Sequence, residues 1–246
     1  MDTIRCDSLA RYEGEIQVAR KKFLNADVIT RLFSSDISPR TLHLFLIYFA
    51  ALGVAITEPV EGWIRRAGDR CIEIGLAELG TAFHQHARDE TDHHLMHLQD
   101  VNLLTARWNA RHADNISSTY FLDIPLTGGA RRYCDLHGTV IKSNTPYCQL
   151  AIELEIESLS VRFGTNFIGH CVKLLGHDLF AGLSFLEHHV ALDVGHTRFN
   201  EKQMDRLLSD HPGYLSSLID AGRQALTAYE HFVRDCLALA ETHTGR

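Results

Sequence analysis

Residues 186–199 read LEHHVALDVGHTRF and place two histidines and a carboxylate at helical intervals. His189, Asp193 and His196 follow one another at offsets of 0, 4 and 7. In an α-helix these offsets fall within about 60° of one another on one face. The residues between them are largely apolar, so we expect much of this helix to be buried. Because buried carboxylates and imidazoles need partners or a metal, the motif predicts a metal site or a hydrogen-bonded cluster.

A second concentration of histidine lies at residues 84–97, HQHARDETDHHLMH, which holds five of the 16 histidines of the chain. We expect this stretch to belong to one long helix, on which two ligand choices are open. Glu90 with His93 is the Glu-x-x-His unit of ferritin-like di-iron bundles. Glu90 with His97 instead places the pair two turns apart on one face. Both choices predict a carboxylate and imidazole site on a helix.

A third source of carboxylate is AIELEIESLS, residues 151–160. Glu157 shares the apolar face of this predicted helix, and Glu153 lies one turn before it on nearly the same side. Glu155 is expected to point elsewhere, towards Arg162. An acidic residue on an apolar helix face favours a cation, whereas a surface ladder of glutamates is the competing interpretation. We therefore predict Glu157 as a ligand, with Glu153 as the residue that could replace it.

Together the three segments offer about three histidines and three carboxylates from three helices. Mixed imidazole and carboxylate ligation without cysteine suits iron or manganese. Two metal ions need about this many groups, whereas one zinc ion would need fewer. The sequence therefore predicts a centre with two metal ions.

Composition narrows the class of protein. The 246 residues are 45% hydrophobic and 22% charged, which is ordinary for a globular protein, and we expect one helical domain over residues 1–246. The net charge is −7 and the 24 lysines and arginines are dispersed, which argues against a nucleic-acid partner. The six cysteines contain no C-x-x-C pair, so we expect reduced thiols in a cytoplasm.

Neither the N-terminal segment nor the most apolar run of the chain predicts targeting or membrane insertion. The first thirty residues show no apolar core with a cleavage site, so we predict no signal peptide and a cytoplasmic location. The most apolar run, Leu42–Ile56, is shorter than the roughly 20 residues needed to cross a bilayer. We predict that it is a buried helix and that the protein has no membrane partner.

Apolar residues recur at intervals of three and four, and prolines stand where helices would begin, as at Pro39 and Pro146. No stretch alternates with period two for long. The residues 112–129 form the one long segment predicted to be non-helical. The predicted helices cover residues 8–33, 39–57, a short one from 59, 70–109, 129–142, 146–175, 178–198, 201–209 and 212–241.

The combined pattern resembles the heme-oxygenase-like di-iron oxidases, which have the heme oxygenase fold without heme. Their ligand pattern is Glu-x6-His, an isolated Glu, and His-x3-Asp/Glu-x2-His, and the resemblance covers roughly residues 40–235. It implies an all-α bundle of about seven or more helices, two Fe(II) ions with O2 as co-substrate, and His97 as the ligand in preference to His93 or His94. The metal ligands that it implies are Glu90, His97, Glu157, His189, Asp193 and His196.

Members of this family use O2 on small molecules, many of them in natural-product biosynthesis. The resemblance implies an oxidoreductase acting on a small amino acid or a related amine or acid, by oxidative C–C cleavage, N-oxygenation or nitrile formation. Fatty-acid decarboxylation is the alternative within the family. The expected partner is a small-molecule substrate, and a homodimer is one possible assembly.

Two further sets of residues are candidates by type alone. A carboxylate substrate would need a cationic clamp, for which Arg65, Arg66, Arg131 and Arg132 are available. Three aromatic residues could line a pocket, although core packing explains them equally well: Tyr48, Phe49 and Trp63.

Competing functions remain open from the sequence. His86, His93 and His94 lie outside the family pattern and could support the ligands from behind. A heme-oxygenase-like oxidase without a cofactor, or a thiaminase-type hydrolase, would not need the histidine and aspartate triplet. A ferritin-like iron-binding protein would use Glu90 with His93 and lack a substrate pocket. A structural interaction protein would use its histidines for packing alone.

Overall fold

The computed structural model describes residues 5–244, and within them every regular element is helical, as predicted. Three 3-10 turns (Pro146–Cys148, His177–Gly182 and Pro212–Tyr214) and one π-helical turn (Ser160–Gly164) join or interrupt the α-helices. The α-helices of this range are α1 (Arg5–Leu24), α2 (Asp27–Leu32), α3 (Pro39–Thr57), α4 (Val60–Glu73), α5 (Ala77–Asp89), α6 (His94–Arg111), α7 (Ser118–Leu122), α8 (Gly128–Lys142), α9 (Gln149–Leu159), α10 (Thr165–Leu175), α11 (Ser184–Asp210) and α12 (Leu215–Thr244).

Helix α3 has the bounds predicted for it and runs through the core. It begins because the Ser38 side chain accepts a hydrogen bond from the Thr41 N–H at 3.0 Å and Pro39 supplies a preset first helical residue. The stretch Pro39–Glu73 is long and apolar enough to resemble a membrane span, but 83% of its most apolar window is buried. A core helix has the same composition, so the prediction of a buried helix is confirmed.

Helix α12 packs against four other long helices: α1, α3, α8 and α9. Helix α9 lies beside α12 and also contacts α11. Every residue of α9 except Ile156 is buried, including three glutamates. The fold therefore brings the acidic segment of α9 into its interior, with α11 beside it.

The helix predicted over residues 70–109 is three helices in the structure, and the segment 84–97 is broken at its centre. Helix α5 ends at Asp89, Glu90 caps it, and α6 begins at His94. Asp92 lies in the left-handed region with φ 65°, which aspartate tolerates better than most residues. The premise that Glu90 and His97 share one helix face is therefore wrong.

A π-helical turn at Ser160–Gly164 interrupts the helix predicted over residues 146–175. Gly164 lies against Val190 of α11, and a Cβ at this position would overlap the valine side chain. The missing side chain thus lets α11 approach the end of α9. Such single-turn π segments often occur at functional sites.

Helix α11 is one continuous helix where two were predicted, over 178–198 and 201–209. Its N-terminus is capped from another helix, because the Asp100 carboxylate of α6 accepts hydrogen bonds from the Ser184 N–H (2.8 Å) and the Phe185 N–H (3.0 Å). The helix continues through Asn200, which is fully buried and whose amide donates a hydrogen bond to Glu157. The cap fixes the register of α11 against α6.

Two smaller differences from the predicted helices occur near the N-terminus and in the segment 112–129. The helix predicted over residues 8–33 is divided into α1 and α2. The segment 112–129, predicted as non-helical, contains the short helix α7. Both differences leave the packing order of the long helices unaffected.

Glu155 does not point towards Arg162 as predicted but into the interior, where it meets α1. It accepts hydrogen bonds from Arg20 Nε at 2.7 Å and from the Tyr12 hydroxyl at 2.9 Å. Its side chain has no exposed surface and that of Arg20 is 5% exposed. This buried ion pair joins the N-terminal helix to the acidic helix of the core.

We expect Arg20→Ala to lower the free energy of unfolding by about 3–5 kcal/mol, because it leaves the Glu155 carboxylate buried without a counter-charge. The measurement is urea denaturation followed by circular dichroism. Arg31→Ala is the matched control, since its pair with Glu241 is half exposed and should contribute no more than about 1 kcal/mol. Equal losses in the two variants would contradict the assignment.

Candidate metal centre

Four buried side chains from α5, α9 and α11 converge on one point: His86, Glu90, Glu157 and His196. One donor atom from each lies within 4.8 Å of all the others. His86 Nε2 is 2.8 Å from Glu157 Oε1, and His196 Nδ1 is 3.3 Å from Glu90 Oε1. We call these four residues the inner group.

Several donor atoms of the inner group are buried without a hydrogen-bond partner, although they lie close together. They include both ring nitrogens of His86, Oε1 of Glu157 and Nδ1 of His196. Buried polar atoms in proteins are normally satisfied, so unpartnered atoms that face one another need an explanation. A cation held between them supplies one.

A second group shares Glu90 with the first and adds His93 and His189, and we call it the outer group. His93 Nδ1 donates to Glu90 Oε2 at 2.8 Å, while the inner group lies near Oε1 of the same carboxylate. His189 donates from Nδ1 to the Phe185 carbonyl at 2.8 Å. That bond fixes the imidazole tautomer and leaves Nε2 with its lone pair for a ligand role.

Asp193 lies beside the inner group without belonging to it. Its Oδ1 is 3.6 Å from His196 Nδ1 and has no hydrogen-bond partner. Its Oδ2 accepts a hydrogen bond from Ser160 in the π-helical turn. The turn therefore holds Asp193 at the edge of the cluster.

His97 lies outside both groups. Its ring stacks on Phe185 at a centroid distance of 3.6 Å, and Gly53 of α3 leaves room for it. A Cβ at position 53 would come within 2.5 Å of the ring. Burial holds the pKa of His97 well below its ordinary value, so the ring is neutral. His94, the other alternative of the first segment, is half-buried and in neither group.

Of the six ligands predicted, the structure thus brings four into the two groups: Glu90, Glu157, His189 and His196. It adds His86, which the sequence reasoning left outside. The spacing could have indicated His86 as a ligand, because His86 and Glu90 are four residues apart at the end of α5 and share a face. His93 was weighed against His97, and it is the one that approaches Glu90.

Charge interactions in the inner group are strong. Burial alone would raise the pKa of Glu90, but the nearby imidazoles of His196, His86 and His93 outweigh it and hold that pKa far below its usual range. Burial would lower the pKa of His196, yet Asp193 and Glu90 raise it to about 10. His86 has its pKa raised in the same way by Glu157. Burial raises the pKa of Glu157.

A cavity of about 190 Å³ borders both groups. Ten polar residues line it: Thr57, Glu90, His97, Tyr133, Glu153, Glu157, Ser160, His189, Asp193 and Tyr229. The rest is apolar and rich in aromatic rings: Phe23, Phe33, Phe45, Phe49, Phe163, Phe167, Phe185 and Phe232, with several aliphatic residues between them. No lysine or arginine of the described chain lines this cavity.

The residues suggested for substrate contact on type alone are mostly elsewhere. The four candidate arginines are exposed and do not line the cavity. Of the aromatic candidates only Phe49 lines it; Tyr48 is hydrogen bonded to His243, and Trp63 stacks on His137 at 4.1 Å. The sequence alone could not separate these roles, because rings in a core and rings around a cavity have the same pattern.

The donors present suit iron or manganese, since they combine imidazole with carboxylate. The five cysteines whose side chains the structure describes are free thiols, and none of them joins either group. Cys6 lies outside the described side chains. The buried cluster of histidine and glutamate can therefore hold a metal ion.

In chelator-treated protein we expect stability to fall as the pH rises from 6.5 to 10. His196 keeps its proton to a pKa of about 10 in the folded chain, against an ordinary value of 6.5. The folded state therefore binds more protons than the unfolded state in this window, and raising the pH removes that advantage. Thermal unfolding across the window measures the slope. His196→Gln should flatten it, and parallel curves for the two proteins would contradict the assignment.

Comparisons with known proteins bear on the fold. No protein-family model matches the chain, and no curated protein matches it. Among solved structures, it is similar to a domain of unknown function with a heme oxygenase-like fold from Shewanella denitrificans OS217. The two chains are 14% identical, the TM-score is 0.71, and the match covers 96% of this chain and 94% of the other. The chain therefore has a heme oxygenase-like, all-helical fold.

Proposed function

We propose that the protein is an O2-dependent, non-heme di-iron oxidase or oxygenase acting on a small organic molecule. The observation that supports this most directly is the pair of donor groups that share Glu90 beside a largely apolar cavity. A carboxylate with one oxygen near each group is suited to two metal ions. The family resemblance of the sequence points to the same chemistry.

Four ligands rest on both the sequence pattern and the geometry: Glu90, Glu157, His189 and His196. His97 and Asp193 stay predictions of the sequence pattern. Two Fe(II) ions held by these residues would supply the electrons for reaction with O2, which amino-acid side chains do not supply by themselves. The chain's own residues hold the ions, position the substrate and exclude water.

Glu153 is suited to hold a proton at the cavity wall. In the metal-free chain burial raises its pKa to about 8, so its carboxyl is largely protonated at neutral pH. The Gln149 amide donates to its Oε1, and the Gln149 Nε2 also lies 2.7 Å from Nδ1 of the buried His137. This arrangement fixes the Glu153 carboxyl at the cavity wall beside the donor groups.

The cavity favours a substrate with a long apolar body. An amino-acid carboxylate or other polar group away from the metals would need a cationic partner, and no lysine or arginine lines the described cavity. Aromatic and aliphatic walls suit an alkyl chain instead. We therefore favour the fatty-acid alternative over the amino-acid substrate, with the carboxylate at the metal ions and the chain among the rings.

Three competing functions fit the molecule less well. A ferritin-like iron store has no use for an aromatic-lined cavity of this composition beside its metal site. A heme-oxygenase-like protein without a metal would not need unpartnered histidine and glutamate atoms buried together. The third, a structural interaction protein, leaves both features without a role.

After anaerobic loading with Fe(II) and removal of free metal, we expect about two irons per chain and an O2-dependent absorbance change that decays faster with substrate. Glu90→Ala and His189→Ala should lose iron, because each removes a donor from the outer group. Metal analysis and stopped-flow absorbance measure the two effects. His84→Ala is the matched control, since His84 lies on α5 but bonds the exposed Asp69.

Failure to retain iron in the wild type would overturn the proposal. Unchanged iron content and O2 consumption in both variants would overturn it equally.

Shortening the cavity should shift the preference for chain length. Ile156 lines the cavity and is the half-buried residue of α9, so Ile156→Trp should favour shorter carboxylic acids by about 10-fold or more. Binding of a saturated acid series measures the shift. Val161→Trp is the control, since Val161 is 38% exposed and does not line the cavity. Tighter binding of amino acids than of any alkyl acid would contradict the substrate class.

A further inference from the structure

We infer that the two metal positions of the proposed centre are unlike, with His86 a ligand of an inner position that has four protein donors and His93 a ligand of an outer position that has three. This inference rests on the proposed function. It departs from the ligand pattern that the sequence resembles, in which neither residue takes part. The positions of the donor atoms, their burial and the contacts of neighbouring residues support it.

His86 is built into the inner group as a donor. It is 1% exposed, and its Nε2 approaches Glu157 Oε1 at 2.8 Å and Glu90 Oε1 at 3.7 Å. Neither ring nitrogen has an aligned hydrogen bond, and Oε1 of Glu157 has none either. Two buried atoms at this distance with no aligned hydrogen bond between them are arranged as co-ligands of one ion.

The protein surrounds the inner position on several sides. His86 and His196 approach from α5 and α11, with ring centroids 4.7 Å apart, and neither of them lines the cavity. Glu157 completes the group from α9, and Asn200 donates to its Oε2 at 2.6 Å. That hydrogen bond directs Oε1 towards the histidines, as residues behind metal ligands commonly do. Although Glu90 and Glu157 also line the cavity, four protein donors hold an ion at more points than the three donors of the outer group do.

The outer group offers three donors: Glu90, His93 and His189. Three protein donors leave coordination positions open, as in metal sites that carry out catalysis. Both Glu90 and His189 line the cavity, so an open position beside them faces the substrate space. The rings of His93 and His189 stand 4.9 Å apart and nearly perpendicular, at 83°.

The break between α5 and α6 explains why His93 replaces His97 in this arrangement. With Asp92 at φ 65°, the chain turns after Glu90 and brings His93 Nδ1 to within 2.8 Å of Glu90 Oε2. His97 is then held between Gly53 and Phe185, where its ring forms part of the cavity wall. The helix break therefore places His93, and not His97, beside Glu90.

The inner position should therefore bind metal more tightly and fill first. Anaerobic titration with Co(II), followed by calorimetry and visible absorbance, tests this without turnover. We expect wild type to bind two ions in two resolved steps. His86→Gln should weaken the first step at least about 10-fold and leave the second measurable, whereas His93→Gln should remove the second step and spare the first.

Two substitutions provide matched controls, His84→Gln and His94→Gln. His84 lies on α5 two residues before His86, His94 follows His93 directly, and neither histidine belongs to either group. Each should titrate as wild type. A Co(II)-dependent rise in melting temperature gives a second measurement for any variant that is less stable, because only a chain that binds the ion is stabilised by it.

Two equal and unaltered steps in His86→Gln and His93→Gln would overturn the inference and leave the proposed function standing. So would loss of the first step in His97→Gln with both other variants intact. Wild type that binds no Co(II) and no Fe(II) would overturn the proposed function itself, and this inference with it.

Discussion

Buried negative charge governs this molecule, because several carboxylates on and around α9 are removed from water. Glu155 has a fixed cation in Arg20, which joins α1 to the core. Glu90, Glu157 and Asp193 have only imidazoles and neutral donors around them. Since a buried charge without a partner is costly, α5, α9 and α11 must converge with their histidines in register. The closeness of these helices, the glycine at the π-helical turn and the cap on α11 all serve that convergence.

Periodicity within single helices predicted much of the candidate site. His189 and His196 lie on one face of α11 and Glu157 lies on the inward face of α9, because spacing of three and four residues survives in any long helix. The same reasoning failed across residues 90–93, where two helices meet. A short break costs little in a helical sequence, and an aspartate that accepts a positive φ gives only a weak local signal. His97 was consequently placed beside Glu90, whereas the structure places His93 there.

Contacts between segments far apart in the chain could not be predicted from the sequence. The partner of Glu155 is 135 residues away on α1, and nothing near Glu155 distinguishes a buried glutamate from a surface one. The composition of the cavity was equally hidden, because its phenylalanines come from many helices and each alone is a typical core residue. The heme oxygenase-like fold, by contrast, followed from the order of a few motifs along an otherwise helical chain, and the structural comparison supports it.

The cap that Asp100 places on α11 has a consequence for metal exchange. Asp100 follows the first ligand segment by one turn and holds the start of the helix that carries the second, so the two segments keep their positions through protein contacts alone. An ion entering such a site does not have to order a helix, and its binding energy is not spent on conformational entropy. An ion bound at the proposed site could therefore leave and be replaced without unfolding of α11.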